Sequence, residues 1–248
     1  FALTGAQQRA LAEIDADLKS EHRMLRLLQG DVGSGKTVVA LLAMANAVEV
    51  GAQAALMAPT ELLARQHFAT IMSFGEGAGL RIALLTGRER GRERGEIVEA
   101  LKDGRIDILI GTHALFQEHI VFKDLGLVAI DEQHRFGVHQ RLALQAKGTG
   151  SGAELLVMTA TPIPRTLLLT SYGDMDVSRL DEKPPGRKPV VTRTVPLERI
   201  DEVIEGVGRA IGRGAQVYWC TAGSPARTRT ESCRISPRAV SRSWCRPR

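Results

Sequence analysis

At residues 30–37 the chain reads Gly30-Asp31-Val32-Gly33-Ser34-Gly35-Lys36-Thr37, which matches the phosphate-binding pattern G-x-x-x-x-G-K-[ST]. A loop with few Cβ atoms can turn its backbone N–H groups around a polyphosphate, and the following helix adds its dipole. The motif follows an apolar run at 25–28 and precedes a helix-forming segment at 38–48. This context predicts a nucleoside triphosphate site in which Lys36 reaches the β- and γ-phosphates and the Thr37 hydroxyl holds Mg²⁺.

Short apolar runs alternate with helical patterns through the first 175 residues. The further runs lie at residues 54–57, 82–85, 106–110, 127–130 and 155–158. Continuous apolar strands separated by helices indicate a mostly parallel sheet with helices on both faces. Right-handed crossovers place the carboxyl ends of such strands at one edge, where ligands bind in open α/β sheets. We therefore predict an α/β fold whose functional residues follow the strands.

Two adjacent acids, Asp131 and Glu132, follow the apolar run at 127–130. At the ligand-binding edge Asp131 would hold Mg²⁺ through water, and Glu132 would polarise the attacking water. A solvated acidic turn is the alternative, and the preceding phosphate-binding motif favours the catalytic interpretation. His134 either couples the acid pair to the next loop or caps a helix. The other five histidines show no metal-ligand spacing, and we expect them to be incidental.

Hydroxyl-bearing residues follow the remaining strands. Thr159 and Thr161 would couple the acid pair to a nucleic-acid face, or form an ordinary turn before a helix. Three further strand ends carry the candidate DNA-binding residues Pro59, Thr60, Thr86, Gly87, Thr112 and His113. Hydroxyls and backbone N–H groups suit contacts with phosphate and sugar, which position a nucleic acid without reading its sequence. Simple helix capping by threonine is the alternative at each of these ends.

The net charge of +5 does not by itself indicate a nucleic-acid partner. Residues 221–248 hold seven Arg and one Glu, so the remaining chain is close to neutral and would hold DNA through oriented amides. Three cysteines, Cys220, Cys233 and Cys245, fit no zinc pattern, and we expect reduced thiols. No apolar run approaches the roughly 20 residues of a membrane helix, and no signal-peptide pattern is present, so we expect a cytoplasmic protein.

The order of these motifs resembles that of superfamily 2 helicases. Longer strings, IGTHALFQ at 110–117, DEQHRFG at 131–137, MTATPIPRTL at 158–167 and DEKPPGRK at 181–188, are similar to the RecG family of ATP-dependent DNA helicases. The resemblance covers residues 1–219. It implies a RecA-like motor domain, ATP and Mg²⁺ as cofactors, and branched or forked DNA as partner, remodelled in recombination and repair.

A related family, the transcription-repair coupling factors, shares the string at 159–166. Such a protein would be expected to carry glutamate where this chain has Gln133, and the proline-rich segment at 184–188 also favours the RecG family. The resemblance further implies that Phe1, Leu3, Thr4 and Gln7 lie near the adenine, with Gln7 as the contacting residue. A helix start capped by Thr4 is the alternative, and both can hold.

The pattern, together with what the resemblance implies about two motor domains, predicts four segments along the chain. Residues 1–180 form the first RecA-like domain, 181–189 a linker because prolines exclude helix and central strand, 190–219 the truncated start of a second RecA-like domain, and 220–248 an aberrant or disordered tail. In the second domain we predict strands at 190–195 and 216–219 and a helix at 197–212. Stretches at 88–95 and 148–152 are interpreted as mobile loops. For the tail, wrong-frame translation is favoured over a natural basic tail.

Two functional hypotheses remain open. In the first, the chain is a piece of a fork-remodelling helicase, as Phe1 at its start suggests, without the wedge domain and most of the second motor domain. Such a piece would bind ATP·Mg²⁺ weakly, hydrolyse it poorly and not unwind DNA. In the second, the chain is a stand-alone nucleotide-binding module or regulatory ATPase. A transporter-type ATPase is disfavoured because its signature between the two nucleotide motifs is absent.

Overall fold

The computed structural model describes residues 2–89, 91–117, 119–131, 148, 152–161, 175–182 and 191–217. The chain divides into two compact units, Phe1–Arg187 and Lys188–Arg248, and each is described by itself. Across these described ranges, no helix is both long enough and apolar enough to cross a membrane.

The described part of the first unit contains one sheet of seven strands. They are β1 (Leu25–Gly30), β2 (Gln53–Met57), β3 (Ile82–Leu85), β4 (Ile108–Gly111), β5 (Leu125–Asp131), β6 (Glu154–Thr159) and β7 (Asp176–Leu180). Their order across the sheet is β3-β4-β2-β5-β6-β1-β7, and each neighbouring pair is parallel. All carboxyl ends therefore meet at one edge, as the sequence predicts.

Helices cover both faces of this sheet. They are α1 (Gly5–Leu18), α2 (Lys36–Glu49), α3 (Glu61–Gly75) and α4 (Gly91–Lys102). Alternate residues of the buried strands enter two cores: Leu56 packs on the side of α1, α2 and α3, and Met57 on the side of α4. Because both faces of the strands are apolar, helices must cover both, and the predicted α/β fold is confirmed.

Each predicted apolar run overlaps with a strand, and α2 and α3 form the helices predicted at 38–48 and 61–74. Gly51, just after α2, has a φ of +89° and ends that helix as expected. The predicted mobile loop at 88–95 is wrong for 91–95, which form the first turns of α4. Its apolar residues recur at helical spacing, and Arg92 pairs with Glu96 one turn later at 2.7 Å.

The second unit contains a 3-10 turn, Leu197–Arg199, that leads into α5 (Ile200–Gly212). This element matches the helix predicted at 197–212. Of the strand predicted at 190–195, residues 191–195 have no regular structure, and residue 190 lies outside the described residues. The predicted linker, apart from 181–182, and the tail at 220–248 lie outside the described residues, as do 218–219 of the second predicted strand.

Candidate functional site

The predicted motifs lie along the carboxyl edge of the sheet in two groups. Thr86, Thr112 and Thr60 follow β3, β4 and β2, which form one half of the sheet. Asp131 ends β5, Thr159 ends β6, and the phosphate-binding loop (residues 30–37) follows β1 in the other half. The candidate nucleotide residues are therefore contiguous, and the candidate DNA residues continue the same edge.

The phosphate-binding loop needs its glycines for conformation and for space. Gly33 and Gly35 have φ values of +79° and +88°, a region that other residues rarely adopt. A Cβ on Gly30 would lie 2.6 Å from the Ser34 Oγ, and a Cβ on Gly35 would overlap the Gln7 Nε2. The loop thus closes tightly over the N-terminus of α2, whose first N–H groups have no acceptor within the helix.

Polar groups inside the loop fit a polyphosphate. The Lys36 ammonium donates to the carbonyls of Gly30 at 2.6 Å and Asp31 at 3.1 Å, so its charge lies over the loop. Within the described residues, the buried Ser34 hydroxyl has no hydrogen-bond partner. A buried polar group without a partner costs about 1–3 kcal/mol, so this position favours a polar ligand.

The two candidate magnesium ligands meet around a histidine of α3. Thr37 lies in the first turn of α2, and Asp131, only 8% exposed, ends β5. The His67 Nδ1 is 3.5 Å from the Thr37 Oγ1, and its Nε2 is 2.7 Å from the Asp131 Oδ2. His67 is therefore not incidental, contrary to expectation. No local pattern in the sequence indicates it, because its contacts with Thr37 and Asp131 arise only when α3 packs against the sheet.

The donor set at this point fits Mg²⁺. Among the described residues, no three His, Cys, Asp or Glu side chains are grouped as metal ligands. Mg²⁺ commonly takes one or two protein oxygens and completes its shell with water and substrate phosphates. The Thr37 hydroxyl could supply one of those oxygens, and the Asp131 carboxylate could hold the cation through one of its waters. Glu132 and His134, predicted as water-activating and coupling residues, lie outside the described residues.

The turn after β6 is connected to the strand that leads into the phosphate-binding loop. The Thr161 N–H donates to the Thr159 Oγ1 at 3.1 Å, and the Gln29 Nε2 donates to the Thr161 carbonyl at 3.3 Å. Gln29 pairs with Thr159 across the parallel strands and directly precedes Gly30. Sequence reasoning did not identify Gln29; its parallel pairing with Thr159 is visible only in the sheet.

Gln7 performs two tasks at the start of α1. Its backbone N–H and its Oε1 form a reciprocal capping pair with Thr4, at 3.3 and 2.9 Å. Its Nε2 also donates to the Ser34 carbonyl at 2.9 Å. The cap and the contact with the nucleotide loop therefore coexist, while the adenine contact stays a prediction.

A cleft of about 330 Å³ lies at the other half of the edge. Its lining includes Thr86, Gly87, Arg94 and His113, three of which are predicted DNA-binding residues. Thr112, at the end of β4, is buried at 4% exposure. The cleft therefore brings together two separate strand-end segments, and their contact with DNA stays a prediction.

Two of the candidate DNA-binding threonines, Thr86 and Thr60, already form hydrogen bonds within the protein. The Thr86 hydroxyl donates to the Glu89 Oε2 at 2.6 Å, and the Thr86 N–H donates to the same oxygen. Arg65 pairs with the other Glu89 oxygen at 3.0 Å. The Thr60 Oγ1 accepts from the Leu63 N–H at 3.3 Å, which supports the capping alternative at that strand end.

Glu89 is an ionised carboxylate held by these contacts. Burial alone would raise its pKa, but the Thr86 hydroxyl and N–H and the Arg65 charge lower the pKa below its usual value overall. The sequence placed Glu89 in a mobile loop. In the structure its carboxylate instead accepts both hydrogen bonds from Thr86 and stabilises that turn.

Comparison with known proteins gives consistent matches. Residues 4–169 match the family model described as DEAD/DEAH box helicase. The chain is 54% identical over 218 residues to the ATP-dependent DNA helicase RecG of Streptococcus pneumoniae, covering 88% of this chain and 32% of that protein. It is 53% identical over 219 residues to RecG of Thermotoga maritima, covering 88% and 28%.

A solved structure of RecG bound to a three-way DNA junction matches with a TM-score of 0.77 at 49% identity, covering 87% of this chain and 29% of that one. The chain therefore spans about a third of the length of the relatives it matches. The resemblance to the RecG family that the motif strings predict is confirmed.

Proposed function

This chain belongs to the DEAD/DEAH box helicase family, and on that basis we propose that it is the ATP-hydrolysing motor unit of a helicase that remodels branched DNA. The observation that carries the proposal is the arrangement of the sheet edge. The phosphate-binding loop, Asp131 and Thr159 occupy one half, and the hydroxyl-bearing strand ends occupy the other. A nucleotide and a DNA backbone could thus bind side by side on a single rigid element.

In the proposed site each residue has a separate task. The loop amides and Lys36 bind the triphosphate, Thr37 and Asp131 hold Mg²⁺, and Glu132 orients the attacking water. Bound Mg²⁺ would neutralise charge that builds on the phosphates. Gln7 would contact the adenine while it supports the Ser34 carbonyl. Thr159 and Thr161 would couple the phosphate-binding loop to the DNA half by way of their contact with Gln29.

On the DNA half we propose contacts that do not depend on base sequence. Pro59, Thr60, Gly87 and His113 would face the phosphates and sugars, while the buried Thr86 and Thr112 would hold the turns that carry Gly87 and His113. A branched or forked partner is proposed because the similar RecG structure is bound to a three-way DNA junction. Amide and hydroxyl donors suit this task in a part of the chain that is close to neutral.

The 248-residue chain by itself should bind ATP·Mg²⁺ but turn it over slowly. In phosphoryl transfer an arginine supplied by an opposing domain raises the rate by about 10³ or more. The chain spans about a third of its relatives, so we expect no unwinding from it alone.

The proposal is tested with a fluorescent ATP analogue, Mg²⁺ and three-way junction DNA. We expect Mg²⁺-dependent nucleotide binding that Lys36→Ala weakens by about 10- to 100-fold, since a charge-assisted contact is lost. Junction DNA should bind and alter nucleotide affinity. The exposed Lys19→Ala is the matched control and should leave both unchanged. Nucleotide binding that junction DNA never affects would instead indicate a stand-alone nucleotide-binding module.

A further inference from the structure

We propose that His67 is a positioning residue of the magnesium site, which orients the Thr37 hydroxyl and the Asp131 carboxylate towards the cation. This inference rests on the proposed function, because it assumes that these two groups hold Mg²⁺ beside a bound nucleotide. It adds a third element, α3, to a site otherwise built from α2 and β5.

The contacts place His67 between the two candidate ligands. Its Nε2 lies 2.7 Å from the Asp131 Oδ2, the distance of a strong charge-assisted hydrogen bond. Its Nδ1 lies 3.5 Å from the Thr37 Oγ1, at the outer limit of such a bond. Both the imidazole and the carboxylate are largely buried, with side chains 13% and 12% exposed. Asp131 is thus the principal partner, and Thr37 the secondary one.

The direction of these hydrogen bonds follows from the chemistry of the three groups. An ionised Asp131 can only accept, so the Nε2 of His67 must carry the hydrogen. In the neutral imidazole the Nδ1 then has a lone pair and accepts from the Thr37 hydroxyl. With this tautomer the Thr37 hydroxyl donates to the ring, so its oxygen lone pairs would be left for a cation. The same assignment restricts rotation of the Asp131 carboxylate.

The position on α3 supports this role over simple packing. His67 lies one helical turn from the buried Ala64 and one turn from the buried Ile71, on the face turned to the sheet. An apolar side chain would satisfy packing at such a position. An imidazole there satisfies two polar groups from other elements instead. Hydrogen-bond partners of metal ligands typically change metal affinity by about 10- to 100-fold when removed.

The test measures Mg²⁺ affinity separately from nucleotide affinity. Mg²⁺ is titrated into the whole 248-residue chain saturated with a fluorescent non-hydrolysable ATP analogue, and analogue affinity is measured again in EDTA. We expect His67→Ala to weaken apparent Mg²⁺ affinity by about tenfold or more, with metal-free analogue affinity changed less than about twofold. Gln66→Ala, at an exposed position of the same helix, is the matched control and should change neither value.

Two conservative variants keep the test independent of folding. His67→Gln carries an amide that can reach the place of the Nε2 and should restore most of the Mg²⁺ affinity, whereas the shorter His67→Asn should not. Gln and Asn variants with equal Mg²⁺ affinity would overturn the proposal. So would a His67→Ala variant that binds Mg²⁺ as well as the wild type, or more tightly, since the ring would then obstruct the site.

The outcomes distinguish this inference from the function on which it rests. A wild-type chain that binds the analogue without any dependence on Mg²⁺ would overturn the proposed function and this inference with it. Mg²⁺-dependent binding in the wild type, unchanged in all His67 variants, would overturn the role of His67 alone.

Discussion

At the residue scale, Glu89 shows how a buried charge can organise a turn. Its carboxylate accepts from the Thr86 hydroxyl and N–H and pairs with Arg65, while its side chain is only 8% exposed. These contacts lower its pKa against the opposing effect of burial. Folding therefore stabilises the ionised form of Glu89 relative to its protonated form.

The pH dependence of the free energy of unfolding should reveal the contribution of the Glu89 carboxylate. Because the folded pKa of Glu89 is lowered, its contribution is fully present above the unfolded value and is lost as pH falls through the folded value. Below about pH 5 the free energy of unfolding of the wild type should fall more steeply than that of Glu89→Gln. Urea denaturation at several pH values measures the difference.

The exposed Glu96→Gln is the control for this experiment and should follow the wild-type curve, since its side chain is 63% exposed. Parallel curves for Glu89→Gln and the wild type would contradict the stabilising role of the ionised carboxylate.

Local patterns predicted the residues of the phosphate-binding loop and Asp131, because each motif is contiguous and adjoins an apolar strand. Glu89 and His67 could not be assigned in the same way. Glu89 meets Arg65 across 24 residues, and His67 meets Asp131 across 64. Their roles depend on how α3 lies against the sheet, which no local pattern specifies.

At the element scale, Arg26 joins α1 and β7 to β1. Its guanidinium donates to Asp17 of α1 at 2.6 Å and to Ser178 of β7 at 3.0 Å, and it pairs with Glu13. Burial lowers the pKa of Arg26, but the hydrogen bond and charge of Asp17, with the charges of Asp176 and Glu13, raise it above its usual value overall. The charge therefore persists in the fold.

Removal of this guanidinium should destabilise the first unit. We expect Arg26→Ala to lower the free energy of unfolding by about 3 kcal/mol, since it leaves partly buried carboxylates without a partner. Arg92→Ala, whose side chain is 92% exposed, should change it by less than about 0.5 kcal/mol. Urea denaturation of both variants measures the contrast, and equal losses would argue against the buried network.

The same network explains why β7 was not predicted from the sequence. Residues 176–180 read Asp-Val-Ser-Arg-Leu, without a continuous apolar run. The polar Ser178 is buried in the sheet because Arg26, on the neighbouring strand, donates to its hydroxyl. By contrast, β2 and β5 are apolar on both faces and were evident in the sequence. Strands with polar positions that are satisfied by distant partners do not show the usual pattern.

At the scale of the whole molecule, the nucleotide site joins several parts of the first unit. The phosphate-binding loop connects β1 to α2, Gln7 links it to α1, and His67 and Asp131 add α3 and β5. A ligand at this point would therefore stabilise two strands and three helices of the unit together.

Binding of ATP·Mg²⁺ should accordingly raise the thermal stability of the chain. At a free concentration of about 100 times its Kd, the ligand should add about 2.7 kcal/mol, a rise in Tm of roughly 5–10 °C for a unit of this size. Differential scanning calorimetry measures the rise, and ATP with EDTA is the control with a smaller rise. An unchanged Tm at saturating ligand would contradict the site.

The order of the strands has a consequence for synthesis of the chain. β1 precedes the other six strands of this sheet in the chain, yet its neighbours are β6 and β7, and Leu25 pairs with Leu155. Contacts between such distant segments form late, because a long loop must close first. The half of the sheet with β2, β3 and β4 can assemble earlier. By contrast, β1 can pair on its two sides only after residues near 155 and 180 have been synthesised. We therefore expect the phosphate-binding loop, although early in the chain, to be among the last parts of the unit to gain its native shape.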